Sequence, residues 1–317
     1  MKKFTASSYL FLLVLAFALY FALYALIDKP LTTGEIERLY DQKVSLTKKG
    51  DGRRIFIFAG SNGRFSHSCA VISGDTNAYC GNLSVAAGIG LDFLLASYEP
   101  NFRAGDIIYM PMEFQQYEVS KDMMYAGPEN SLLFKKHFPL LWKIGAERTL
   151  RAAFFANENY FIQGTVEMLL QKKGIQRRFT EASVNASGDQ QGHTPQLAEG
   201  YAGFIRSFHE VIPDLSQTAK NAYAVEVLKG FLQRAKAKGV LVIGGLPTTF
   251  SGTPIPPGTL AFLKNVYEGA GQEFLVLDND SQYEKSCFYD KPYHLNTVCQ
   301  SLHSHKVAAL LGNVDGK

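Results

Sequence analysis

The sequence predicts an α/β protein: a three-layer sandwich around a mainly parallel central sheet, with one N-terminal transmembrane helix and a helical insertion. Three observations lead there. An uncharged stretch runs from Phe4 to Ile27. Beyond it, short apolar runs alternate with helix-like segments, the pattern of βαβ units. From about residue 115 to about 220 that alternation stops, and the chain becomes helix-like and aromatic.

Within the uncharged stretch, Tyr9–Ile27 is almost continuously apolar over 19 residues. As a helix it is roughly 28 Å long, which matches a bilayer core of about 30 Å. Lys2 and Lys3 precede it and Asp28 follows. The positive-inside rule then leaves the N-terminus in the cytoplasm and the rest outside. A cleaved signal peptide is the rival reading. The apolar stretch exceeds a usual signal core and no clean A-x-A site precedes Asp28, which favours an uncleaved anchor. The expected organisation is an anchor over residues 1–30 and an extracytoplasmic domain over 31–317, in the periplasm against the inner membrane.

Leu31–Leu46 is polar with scattered apolar positions, a short helix leading out of the membrane. Ile55 to Gly60 is an apolar run ending in glycine, the form of a buried parallel strand. Ser61-Asn62-Gly63 forms a tight turn, and Phe65 to Ile72 a helix. A second strand lies near Ala78–Asn82, followed by a helix over Gly88–Tyr98 and a strand from Ile107 to Met112. After the insertion, which carries a polar loop at Ser183–Pro195, the pattern resumes. Tyr223–Lys238 is helical, Gly239–Gly245 a strand, Gly258–Gly269 a helix and Phe274–Leu277 a final strand. A closing helix ends at Leu311. The βαβ order predicts right-handed crossovers.

Composition limits the function. The 317 residues are 46% hydrophobic and 19% charged, a globular balance, with 23 Phe and 16 Tyr to fill a core. Net charge is +3, and no Lys/Arg run exceeds two residues, which argues against nucleic acid as a partner. Cys69, Cys80, Cys287 and Cys299 form two close pairs in sequence; both disulfides and buried free thiols fit an oxidising compartment. Neither C-x-x-C nor H-E-x-x-H occurs, so no metal and no cofactor is expected.

In an open α/β sheet, reactive groups sit beyond the carboxyl ends of the strands. Ser61 stands there after the first strand, as a nucleophile or as part of a turn chosen for its backbone. Asp290 and His294, in the loop before the last helix, are the base half of a Ser-His-Asp relay, or else a proline-containing surface loop. Asn82–Gly88 offers small residues that let amides approach a substrate oxygen, or simply let a helix pack closely. His67 suits a solvated or capping role better than the site. Glu113, at the end of the third strand, lies near the active edge. Asp278 and Asp280 read as turn formers and Arg64 as a surface cation.

Together, G-S-N after the first strand, N-x-S after the second and D…H-L-N before the last helix resemble the SGNH (GDSL-like) hydrolase superfamily. The resemblance covers roughly residues 53–311 apart from the insertion, and implies a flavodoxin-like sandwich. It implies Ser61 as nucleophile, His294 as general base and Asp290 as its orienter. The amides of Ser61 and near Ser84 would form the oxyanion hole, and Asn62, Glu113, Gln115 or Gln116 would line the site. Three departures stand out. Ser84 replaces the second-block glycine, the third-block G-x-N-D is absent, and Asp290 and His294 are four apart rather than three. The Y-H-L-N ending is similar to that of membrane-anchored extracytoplasmic members. The implied activity is a serine esterase or O-acyltransferase acting on acyl groups of a cell-surface polysaccharide or another acylated small molecule. A membrane acyl-transfer partner is compatible with it. The alternative is a non-catalytic anchored binding or assembly subunit, which the missing third-block Asn favours.

Overall fold

Four strands of four residues and one of two build the main sheet. The computed structural model describes residues 5–26, 31–126, 129–154, 158–174, 183–312 and 314. Lys2, Lys3 and Asp28, whose charges orient the expected membrane helix, lie outside the described residues, as do residues 127–128, 155–157 and 175–182 of the insertion. The chain opens with α1 (Ala6–Leu26), apolar and long enough to cross a membrane, followed by α2 (Leu31–Leu46). Then come β1 (Arg54–Ile57), α3 (Ser61–Ser66), α4 (Cys69–Thr76), β2 (Tyr79–Asn82), α5 (Leu91–Tyr98) and β3 (Ile107–Met110). The insertion holds α6 (Lys121–Tyr125), α7 (Glu129–Lys136), α8 (Phe138–Ile144), α9 (Ala146–Ala153), α10 (Glu158–Lys172), α11 (Pro195–Ala198), α12 (Ala202–Ser207) and α13 (Leu215–Thr218). The core resumes with α14 (Tyr223–Ala237), β4 (Leu241–Gly244), β5 (Thr249–Phe250), α15 (Pro257–Glu268), β6 (Glu273–Phe274), β7 (Gln282–Tyr283) and α16 (Thr297–Gly312).

The main sheet is parallel, in the order β2-β1-β3-β4-β6. Ile57 pairs with Asn82 on one side and Tyr109 on the other. Chain order reverses between β1 and β3, so the crevice beyond their carboxyl ends is where such a sheet takes its ligands. Phe56, Ile108 and Val242 face a cluster with Phe93 of α5, Leu228 and Phe231 of α14 and Leu263 of α15. Ile55, Ile57, Tyr109 and Ile243 face the opposite cluster, with Ile72 of α4 and Val307 and Leu311 of α16. Both faces are therefore apolar, which explains why the strands read as unbroken runs rather than alternations.

Several elements differ from expectation. The helix expected over Phe65–Ile72 is broken: His67 and Ser68 are extended, and the Ser68 hydroxyl accepts the Val71 N–H to start α4 afresh. The expected Ser61–Gly63 turn is instead the first turn of α3. The final strand shortens to two residues, and a second parallel pair, β5 with β7, lies outside the main sheet. The insertion also divides. Its 183–192 loop runs along β2, where the Asn82 N–H donates to the Ser187 carbonyl at 2.8 Å and the Gln190 N–H to Arg64 at 3.1 Å. Helices α7 and α8 pack instead on α2 and α5, to the side of the sheet.

One buried ion pair fixes the start of β1. Arg54 donates through Nε to Asp106 Oδ1 at 2.8 Å, and its other nitrogens reach the carbonyls of Thr47 and Asn101. Both charged residues are buried. Removing the carboxylate leaves the guanidinium desolvated and unpaired. Asp106→Ala is therefore expected to destabilise the protein by about 3–5 kcal/mol, read by denaturant unfolding; a loss within about 1 kcal/mol, no more than an exposed pair contributes, would contradict that account.

Candidate active site

Two glycines bring Ser61 to the rim of the sheet. After β1, the Ala59 N–H donates to the Ser84 hydroxyl at 3.1 Å, and α3 begins at Ser61. A Cβ on Gly60 would lie 2.3 Å from Gln116 Nε2, and one on Gly63 would lie 2.1 Å from Ser84 Oγ. At Gly63, where Ala59 Cβ and Ser84 Cβ also lie 2.9 Å away, only glycine fits; at Gly60 the amide end of Gln116 would have to move aside. Asn62 is fully buried; its side-chain amide donates to the Pro111 carbonyl at 2.7 Å, tying α3 to the end of β3.

The loop before α16 supplies the other half. His294 Nε2 lies 2.9 Å from Ser61 Oγ, and His294 Nδ1 lies 2.8 Å from Asp290 Oδ1. The segment is a turn rather than a helix, and Tyr293 has φ +69°. That left-handed conformation costs of order 1–3 kcal/mol in a non-glycine residue. Its carbonyl accepts the Ser66 hydroxyl at 2.7 Å and the Thr248 hydroxyl at 3.2 Å, which offsets the strain. Phe65 stacks flat on the His294 ring at 4.0 Å, and the Arg64 guanidinium lies over the other partner of that stack, 5.3 Å from the Phe65 ring. The Cys287–Cys299 bridge ties this loop to α16; the second bridge, Cys69–Cys80, joins α4 to β2.

Electrostatics set the protonation states. Burial pushes His294 down to about 4, against the pull of Asp290, so the imidazole is neutral and its Nε2 is free to accept a proton. Asp290 is held below the usual carboxylate range: burial raises it, but the His294 hydrogen bond and the charges of His294 and Lys291 outweigh that. With Asp290 ionised, Nδ1 carries the proton and Nε2 faces the serine.

The remaining expected residues fall into place differently. Glu113 accepts the Asn62 N–H at 3.3 Å. Burial raises its pKa, opposed by Lys291, the Asn62 N–H and the Ser61 hydroxyl, so it stands beside Ser61. Gln115 does not line the serine; its amide donates to the Tyr293 hydroxyl at 3.2 Å and steadies the histidine loop. Ser84 is a correction. It is fully buried, its N–H is taken by Asn82 Oδ1 at 3.2 Å, and its hydroxyl serves Ala59, so neither group is offered to a substrate. Gln116, packed over Gly60, is the side-chain amide beside Ser61.

His67 is neither in the site nor solvated. It is buried in a pair with His303, Nε2 to Nε2 at 3.2 Å, and His303 Nδ1 meets the Tyr283 hydroxyl at 2.9 Å. Burial pushes His67 down to about 3. Sequence offered no sign of this pair, since its members lie on α16 and between α3 and α4. Asp278 pairs with Lys306 at 2.7 Å, and Asp280 adopts φ +52°, both in the turn after β6. An apolar pocket of about 220 Å³ opens beside Ala59 and Gln116, walled by Phe58, Leu94, Met112 and Met124. Nothing in the sequence marked it, because its walls come from β1, α5, α6 and the end of β3.

Compared with known proteins, the chain matches no family model and no curated protein.

Two outcomes follow from this geometry. If neutral His294 is the base, the rate of fluorophosphonate labelling stays flat below the ordinary histidine value of 6.5 and falls to half near about 4. A midpoint at or above 6.5 in the rate–pH profile would remove the argument for burial. The Cys287–Cys299 bridge closes 12 residues and contributes about 3 kcal/mol. Cys287→Ser with Cys299→Ser should lower the melting temperature and slow labelling; a double variant with unchanged labelling would show that the loop is held without it.

Proposed function

We propose that this chain is a membrane-anchored extracytoplasmic serine esterase or O-acyltransferase of the SGNH type, acting on acyl groups of cell-surface polysaccharide. The observation that carries the reading is the unbroken relay from Ser61 through His294 to Asp290, at 2.9 Å and 2.8 Å. The main-sheet order, with apolar clusters on both faces, supports the three-layer, flavodoxin-like sandwich that this reading implies.

Ser61 Oγ attacks the acyl carbonyl while His294 Nε2 takes its proton. The tetrahedral oxyanion accepts hydrogen bonds from the Ser61 N–H and the Gln116 amide, which fills the role of the missing third-block Asn. Collapse expels the alkoxide, which takes the proton back from His294, and leaves the acyl group on Ser61. Water or a sugar hydroxyl then attacks, again through His294. Asp290 stabilises the imidazolium in both halves. Burial raises the pKa of Glu113 beside Ser61, against the lowering by Lys291, the Asn62 N–H and the Ser61 hydroxyl. The pocket beside Ala59 gives the acyl group an apolar place to lie, larger than the 150 Å³ cavity that holds benzene.

The periplasmic placement rests on α1 as an uncleaved anchor and on the two disulfides, which an oxidising compartment sustains. The deciding experiment labels the full chain with a fluorophosphonate and assays an activated acetyl ester. Ser61→Ala should abolish labelling, and His294→Ala should slow it by about 10⁴-fold or more. Unlabelled wild-type protein with a native circular dichroism spectrum would favour the binding role instead.

A further inference from the structure

α1 does not stand clear of the rest of the protein. Its second half is packed against the insertion. The Tyr20 hydroxyl donates to the Ala153 carbonyl at the end of α9, at 3.1 Å. The Phe154 ring lies 5.9 Å from Phe17 and 6.1 Å from Tyr20, and Phe161 of α10 lies 5.9 Å from Tyr20. Phe134 of α7 lies 6.4 Å from Tyr24, and the Lys135 ammonium lies 4.1 Å from the same ring.

The helix's length sets the depth of these contacts. The 21 residues of α1 rise about 32 Å, scarcely more than the about 30 Å of bilayer hydrocarbon. A spanning α1 therefore leaves almost nothing outside. Tyr20 comes six residues before Leu26, about 9 Å down the axis, and Phe17 about 14 Å. Whatever touches Phe17 and Tyr20 is immersed with them, and Phe154 and Phe161 do so.

Apolar surface continues outward from that contact. α10 exposes Ile162, Val166 and Leu169, spaced four and three apart on one stripe. α8 exposes Phe138 and Trp142, the latter 58% accessible, their rings stacked at 6.2 Å. Phe134 lies 5.7 Å from Phe138, so rings lead without a break from Tyr24 of α1 to Trp142. An aromatic run ending in tryptophan at the head of a membrane helix is the composition of a bilayer interface. Exposed Lys143 of α8 and Lys172 of α10 add cations suited to anionic headgroups.

We propose that α8, α9 and α10 form a second membrane contact, lying in the leaflet beside the C-terminal half of α1 with Trp142 and the α10 stripe among the lipids. The occupant is the bilayer rather than a protein, because α1 is seated on the same surface and brings lipid to it. The proposal rests on α1 as a membrane span, and not on the chemistry assigned to Ser61. Its consequence is a domain held at a fixed height and tilt. The acyl pocket is coupled to it, since Met124 is on α6 and α6 packs on α9.

The chain contains one tryptophan, so Trp142 is a native reporter. The full chain is reconstituted into phosphatidylcholine–phosphatidylglycerol vesicles, with and without brominated phosphatidylcholine, and quenched separately with aqueous iodide. The expected result is flotation with the vesicles, loss of most Trp142 emission to brominated lipid and little loss to iodide. Ile162→Glu with Val166→Glu, both at exposed positions, should restore the emission in brominated vesicles while flotation through α1 persists. Flotation with Trp142 open to iodide and untouched by brominated lipid overturns the second contact and spares the anchor. Emission shielded from both quenchers only at high protein density assigns the surface to a second copy and also overturns it. Failure to float overturns the span and this proposal together. Fluorophosphonate labelling of Ser61 is read independently in each case.

Discussion

The Ser66 hydroxyl, donated to the Tyr293 carbonyl, ties together two distant parts of the chain at the point where the site forms. Ser61 starts α3 beyond β1, and His294 lies 233 residues later. Ser66 closes the same short helix that Ser61 opens, so the hydrogen bond at its far end sets the orientation of the histidine loop over its near end. Thr248 adds a second donor from the segment after β4. These bonds hold Tyr293 in a left-handed conformation, and that conformation turns the His294 ring toward the serine and onto Phe65. A loop in relaxed backbone geometry would have no cause to place the ring there.

The same economy recurs around the nucleophile. Buried polar side chains are spent on the backbone, not left facing solvent: Asn62 on Pro111, Asn82 on Gly63 and on the Ser84 N–H, Ser84 on Ala59. These bonds tie the segments at the ends of β1, β2 and β3 to α3 and to one another. The small residues after β2 that read as an oxyanion loop are instead this lattice. The side chains left around Ser61 outside this lattice are fewer, with Gln116 over Gly60 and Glu113 held by the Asn62 N–H.

The parallel sheet was legible because both of its faces are covered, and strands covered on both faces read as unbroken apolar runs. Ser61 and His294 were legible because each sits just past such a run or just before the last helix. The rest depended on contacts between distant segments. Two-residue strands such as β5 and β7 carry too few residues to show a period. The left-handed Tyr293 has no glycine to announce it. His67, between two helices, and His303, within α16, look ordinary in sequence until α16 packs against α4. Ser84 looked available because sequence does not show which way a hydroxyl points. The insertion read as one unit, whereas its loop at 183–192 and its helices α7 and α8 serve different neighbours.

The link after α1 has a mechanical meaning. Four residues separate Leu26 from Leu31, five Cα steps that reach at most about 18 Å even when fully stretched. With α1 in a bilayer, as proposed, such a leash would deny the domain any long excursion from it. On the proposed function, a polymer strand would have to come down to the lipid surface, and the reach of whatever delivers it, not diffusion of the domain, would decide which sugars are met.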